Sequence, residues 1–284
     1  MLATPDVETN EVIIAMHGMQ SNCMKKRDEI LGKKLTTETK IAYFSFNNRG
    51  HELMSYIKRT DGNNKPDGGT SYENFYDSYY DIKAAIERMR ELGYTKIHLQ
   101  GHSLGCTKIV YTYNRLKEEE SELLDFVKSV ILLSLIDIVG TQQTELGEKR
   151  YSEYLNYARA LNSQNRETEL MPKESFMHPI SAKTYLTYFG EGNERIDFAR
   201  FWDKYYHFKE LNNITVPLFM RWGTIYEFVE QELDELIPFL KNRLYNKYLD
   251  IDYIGGADHG YSGKEETLAD QITFFIKYIA KEKE

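Results

Sequence analysis

Ser103 stands between two glycines in Gly101-His102-Ser103-Leu104-Gly105, and His259 stands in "GGADHGYSG", residues 255–263. A hydroxyl and an imidazole are the minimum for nucleophilic acyl transfer, in which the ring takes the proton as oxygen attacks a carbonyl. The glycines have a steric reason. A serine held in a strained turn needs neighbours without β-carbons, so that the strand before it and the helix after it can pack closely. The helix start would then set backbone N–H groups, with their partial positive charge, beside the hydroxyl.

Such chemistry also needs donors for the oxyanion. "MHGMQSN", residues 16–22, follows an apolar run, and its His17-Gly18 pair lets the backbone turn an N–H toward the reacting carbonyl. The amides of Met19 and Leu104 are the candidate oxyanion-hole donors, a kind of contact worth about 3 kcal/mol. Other histidines are weaker candidates for the base: His98 lies within a strand, His102 inside the turn, and His178 and His207 in a polar interruption. Cys106 and Cys23 read as small apolar fillers rather than reactive thiols. Arg49 in "NNRGH" reads as a loop anchor.

These residues need elements to hold them. Val12 to Met16, Lys40 to Phe46, Lys96 to Leu99, Val127 to Ile136, 216–222 and 248–254 read as strands, several of them continuous apolar runs expected for parallel strands buried on both faces. Between them, "KKRDEILGKKL", 107–116, about 228–241 and 264–281 read as helices. The clearest helix runs from about Ser71 to Leu92, where Tyr72, Phe75, Tyr79, Ile82, Ile86 and Met89 trace one apolar face and Gly93 stops it. Alternating strands and helices predict an α/β fold with a mainly parallel sheet and helices on both faces. Ser103 and His259 would then leave the sheet at the same edge, the carboxyl ends of the strands. From Gly140 to Asn213 the pattern pauses in a polar, tyrosine-rich, helical-looking insertion.

Composition narrows the function. A chain of 284 residues with net charge −8 argues against a nucleic-acid partner or an anionic membrane surface. No apolar run approaches the roughly 18 residues of a membrane span, and the first residues do not read as a secretion signal. Two cysteines suit neither a disulfide scaffold nor a zinc site. A cytoplasmic protein is expected, with no metal and no cofactor; no phosphate loop or dinucleotide fingerprint is present.

Taken in order, "HGMQSN", "NNRGHE", "GHSLGC" and "GGADHGYSG" resemble the α/β-hydrolase superfamily over nearly the whole chain apart from the insertion. The segment around residues 68–110 further resembles a subgroup of uncharacterised and siderophore-ester-cleaving hydrolases. The resemblance implies strand order 4-3-5-6-7-8, with the N-terminal strand pair reduced or absent because only about ten residues precede the first strand. It implies a core of 1–139 and 214–284, with 140–213 as a helical cap over the serine. It also implies a serine–histidine–acid triad. The acid position after "VPLFMRW" holds Tyr226, which cannot carry the negative charge that orients a histidine. Glu227, one residue on, can; Asp137 after the fourth strand is the alternative. Glu230 reads as helix surface, and Asp258 adjoins His259 too closely.

The sequence is therefore expected to specify a serine hydrolase acting on a small-molecule carboxylic ester, with Ser103 as nucleophile, His259 as base and Glu227 as acid. Amidase, thioesterase or C–C hydrolase chemistry would use the same residues, and a non-catalytic ligand-binding protein of this fold is the reading from another class. Tyr151, Tyr154, Tyr157, Tyr185, Tyr188, Phe189, Phe201, Trp202, Tyr205 and Tyr206 would either line a substrate cavity or pack the insertion together.

Overall fold

A computed structural model describes residues 1–57 and 65–280. In chain order its elements are β1 (Leu2–Ala3), β2 (Glu11–Met16), α1 (Lys26–Thr39), β3 (Ala42–Phe46), β4 (Ser55–Ile57), β5 (Lys65–Gly68), α2 (Ser78–Glu91), β6 (Lys96–His102), α3 (Leu104–Glu118) and β7 (Val127–Leu133). Then follow α4 (Ile138–Ser163), α5 (Ala182–Phe189), α6 (Lys209–Asn212), β8 (Leu218–Ile225), α7 (Leu233–Arg243), β9 (Leu249–Asp258) and α8 (Glu265–Phe274). Among the described residues, no helix is long and apolar enough to cross a membrane.

Seven strands form one sheet in the order β1-β3-β2-β6-β7-β8-β9, parallel except for β1 against β3. From β3 onward this is the expected order, and the expected N-terminal strand pair is reduced to the two-residue β1. The continuous apolar runs have a physical basis in the two-residue strand period. Val12, Ile14 and Met16 face one core while Ile13 and Ala15 face another, and β7 divides the same way. Helices α1 and α8 cover the second core; α2, α3, α7 and much of 134–217 cover the first. Because β3 and β6 flank β2 on opposite sides, the loops after β2 and β6 diverge, which opens a crevice at the carboxyl edge.

Several boundaries differ from the sequence reading. The helix expected from Ser71 begins as two 3₁₀ turns, at Thr70–Tyr72 and Phe75–Asp77, and is α-helical only from Ser78. Asn74 explains the break, since its side chain accepts from Tyr76 N and offers the backbone a local alternative to the helix. The helix expected from 228 starts at Leu233. The residues before it form irregular bends rather than helix, with Tyr226 at positive φ and Phe228 O accepting from Asp137 N. The antiparallel β4–β5 pair was not expected. Between β7 and β8 the chain leaves the sheet, but it is less helical than its rhythm implies. Gly147 (φ 70°, ψ 158°) divides α4, and 190–208 is turns and loop.

Candidate active site

Ser103 follows β6 directly and precedes α3, with φ 54° and ψ −128°. A non-glycine residue in that region costs of order 1–3 kcal/mol and needs support around it. Its N–H donates to Leu133 O on β7 at 2.9 Å, and its carbonyl accepts from Cys106 N at 2.9 Å. The two flanking glycines are steric necessities. A β-carbon on Gly101 would lie 2.6 Å from the Cys106 backbone, and one on Gly105 would lie 2.5 Å from Met16 O. Gly18 is a third: its β-carbon would meet Ser103 Cβ at 2.8 Å, so the loop after β2 lies directly on the serine.

His259 follows β9, and its Nδ1 lies 2.6 Å from Glu227 Oε2. The other carboxylate oxygen, Oε1, accepts from Gly223 N at 2.6 Å and from the Ser134 hydroxyl at 2.8 Å. An acceptor-only carboxylate so held makes Nδ1 the donor and leaves the far ring nitrogen free. Tyr226 takes φ 55° and is 89% exposed, so the chain swings tyrosine into solvent and glutamate inward. His102 is spent elsewhere: its Nε2–H donates to His259 O at 2.7 Å, and burial holds its pKa well below the usual range. The ring of Phe228 packs edge-on against His259 at 4.9 Å. Among the described residues the Ser103 hydroxyl has no hydrogen-bond partner, though Ser103 and His259 line the same two cavities.

The Met19 and Leu104 amides likewise have no acceptor among the described residues. Asn48 N donates to His17 Nε2 at 3.4 Å, so His17 Nδ1–H donates to Gly18 O at 2.8 Å. In a trans peptide the carbonyl and the following N–H point in opposite directions. Holding Gly18 O therefore turns Met19 N–H the other way. Burial, helped by the Lys108 charge, lowers the His17 pKa to about 3, so the ring stays neutral and keeps this bonding pattern.

Asp137 does not reach His259. It is buried at the start of α4, where Oδ1 accepts from Gly140 N at 2.8 Å. Burial, with the nearby Asp197 and Glu230 charges, raises its pKa to about 7. Asp258 accepts from Gly260 N and Ser262 N, shaping the loop that carries His259. Glu230 is exposed in the segment before α7. Cys106 is buried with its Sγ 3.1 Å from Leu133 O, and burial raises its thiol pKa. Cys23 is partly buried, and its N–H donates to Asn47 Oδ1. Arg49 pairs with Asp77 and Asp81 and so ties its loop to α2.

Two cavities meet at Ser103 and His259. One, of about 170 Å³, is walled by Met19, Ile136, Ile138, Phe176, Met177 and Phe228, with Thr141, Gln142 and His178 completing it. The other, of about 520 Å³, is an open groove of mixed character bordered by the polar side chains Gln20, Ser21, Lys25, Lys26, Ser262 and Glu265. None of the ten insertion aromatics singled out from sequence lines the smaller cavity. Tyr185, Tyr188, Phe189 and Phe201 are core residues, while Tyr157, Trp202 and Tyr205 are exposed. The insertion instead contributes Thr141, Gln142 and 176–178, which only tertiary structure brings to the serine. Among the described residues there is no cluster of His, Cys, Asp or Glu able to hold a metal ion.

A mainly parallel sheet with this strand order, a strained serine between strand and helix, and helices on both faces has the α/β-hydrolase fold. No protein-family model and no curated protein matches the chain. Solved structures do. A highly thermostable carboxyl esterase from Bacillus coagulans, in complex with glycerol, aligns with TM-score 0.64 at 12% identity, over 98% of this chain and 93% of its own. Est1E from Butyrivibrio proteoclasticus, with ferulic acid bound, gives 0.62 at 15%, over 98% and 94%. The monoacylglycerol lipase of Paleococcus ferrophilus gives 0.57 at 18%, over 96% of each chain.

Proposed function

We propose that this protein is a serine hydrolase that cleaves carboxylic esters through an acyl-enzyme. Ser103 Oγ attacks the carbonyl carbon as its proton passes to the free ring nitrogen of His259. The oxyanion forms between the Met19 and Leu104 amides, and Glu227 stabilises the imidazolium. The carbonyl re-forms, the carbon–oxygen bond to the alcohol breaks, and the same nitrogen returns the proton to the leaving oxygen. Water, deprotonated by His259, then attacks the acyl-enzyme, and Ser103 regains its proton as the acid departs. No step calls for a cofactor. Residues 140–213 act as the cap, since they supply one wall of the cavity beside Ser103. With two free cysteines, the cytoplasm stays the expected compartment.

One observation carries the reading: the 2.6 Å contact between His259 and a buried, three-donor carboxylate, at the junction of two cavities that Ser103 shares. The similar structures named as esterases or lipases favour an ester over an amide, a thioester or a carbon–carbon bond. With Glu227 facing His259, the tyrosine at the usual acid position gives no support to a non-catalytic binding protein of this fold. The test is turnover of 4-nitrophenyl acetate and butyrate. Ser103→Ala should fall to background, and Glu227→Gln should lose at least a hundredfold in kcat. Turnover by Ser103→Ala at the wild-type rate would overturn the reading; a Glu227→Gln loss below tenfold would remove Glu227 as the acid.

A further inference from the structure

The smaller cavity holds a polar side chain that neither the fold nor the proposed mechanism uses. About 170 Å³ is close to the roughly 150 Å³ engineered cavity that accepts benzene, so about one ring or a short branched chain fills it. Six of its walls are apolar, and the ring of Phe176 stands edge-on to His178 at 6.2 Å. His178 is partly buried and has no hydrogen-bond partner among the described residues. Burial lowers its pKa, so the ring is neutral at pH 7 and keeps one donor and one acceptor unspent.

Two of its polar neighbours are committed elsewhere: Gln142 Nε2 donates to Ser175 O at 2.6 Å, and His259 is held by Glu227. The third, Thr141, has a buried hydroxyl without a partner among the described residues, a second unspent group in the same wall. The loop that carries His178 is closed at its base by Met171 N donating to Ile180 O at 2.8 Å. An unspent imidazole on a pinned loop facing an apolar, ring-sized space is a recognition element. We propose that one arm of the substrate, about one ring in size, enters this cavity and that His178 selects it by hydrogen-bonding a polar substituent on it. The other arm lies in the open groove on the far side of Ser103 and His259. That the ligand is an ester rests on the hydrolase reading; the binding preference does not.

Binding and turnover separate the two. In Ser103→Ala, methyl 4-hydroxybenzoate should bind about tenfold more tightly than methyl benzoate, and His178→Phe in that background should bring the pair within threefold, the effect of one neutral hydrogen bond. His178→Asn, which keeps a donor and an acceptor, should retain the preference. Unchanged binding of methyl benzoate by His178→Phe shows that the cavity is intact. Wild-type kcat/KM for these esters, and for phenyl acetate against 4-hydroxyphenyl acetate, identifies the selected arm as acyl or alcohol. A preference that survives His178→Phe, or a 2-naphthoate methyl ester bound as well as the single-ring ester, would overturn the proposal. Binding preference without any wild-type turnover would sink the hydrolase reading and leave the subsite standing.

Discussion

At the scale of residues, the site depends on where single side chains are allowed to point. Tyr226 and Glu227 are adjacent, and sequence spacing alone points to the tyrosine. The positive φ of Tyr226 turns the tyrosine outward and brings the next side chain onto His259. Asp137 illustrates a buried acid with another task. Its carboxyl starts α4 and holds its proton up to about pH 7, against an ordinary value of 3.8. The folded state therefore binds more protons than the unfolded chain between those values, and the stability this group contributes is full below pH 4 and lost as pH rises to 7. Asp137→Asn keeps the acceptor for Gly140 N but cannot ionise. In urea unfolding it should match wild type near pH 4 and exceed it at pH 8 by up to roughly 4 kcal/mol. A gap that does not change with pH would contradict this account. Ser103, His259, Met19 and Leu104 were legible as candidates because glycine-flanked turns and strand ends announce themselves. Ser134 was not, and His17 and His178 were noticed for other reasons, since what these side chains do depends on hydrogen bonds, or the lack of one, to segments distant in the chain.

At the scale of elements, α3 ties the serine to the insertion. Lys108, one turn into α3 and fully buried, donates to Glu73, whose other oxygen accepts from Tyr188 on α5 at 3.0 Å. Removing one partner leaves a buried charge uncompensated, so Lys108→Met should cost about 3–5 kcal/mol, measured by denaturant unfolding. Lys108→Met with Glu73→Gln should recover most of that loss; no recovery would show that Lys108 acts by packing rather than by pairing. The apolar strands were readable because their runs are continuous, and the ends of α3 extend beyond the reading only by a turn or less. The start of α2 and α7 was misread for one reason. Local apolar periodicity persisted through residues whose backbone was already committed, to the Asn74 cap in one case and to Glu227 placement in the other.

At the scale of the molecule, strand order brings four distant segments to one edge: residues 17–19, 103–104, 227 and 259. Alternating apolar runs made the sheet and its carboxyl edge legible. What the insertion gives the site was not, because the aromatic residues that stand out in it either pack into a core, as Tyr185 and Tyr188 do, or face solvent, while the cavity wall comes from Thr141, Gln142 and 176–178. The central claim is an activated hydroxyl at Ser103. Its most direct test is labelling of the folded protein with a fluorophosphonate, followed by mass-spectrometric mapping of the adduct. Stoichiometric modification at Ser103, lost in His259→Ala, is the expected result. An unmodified Ser103 in folded wild-type protein would contradict it.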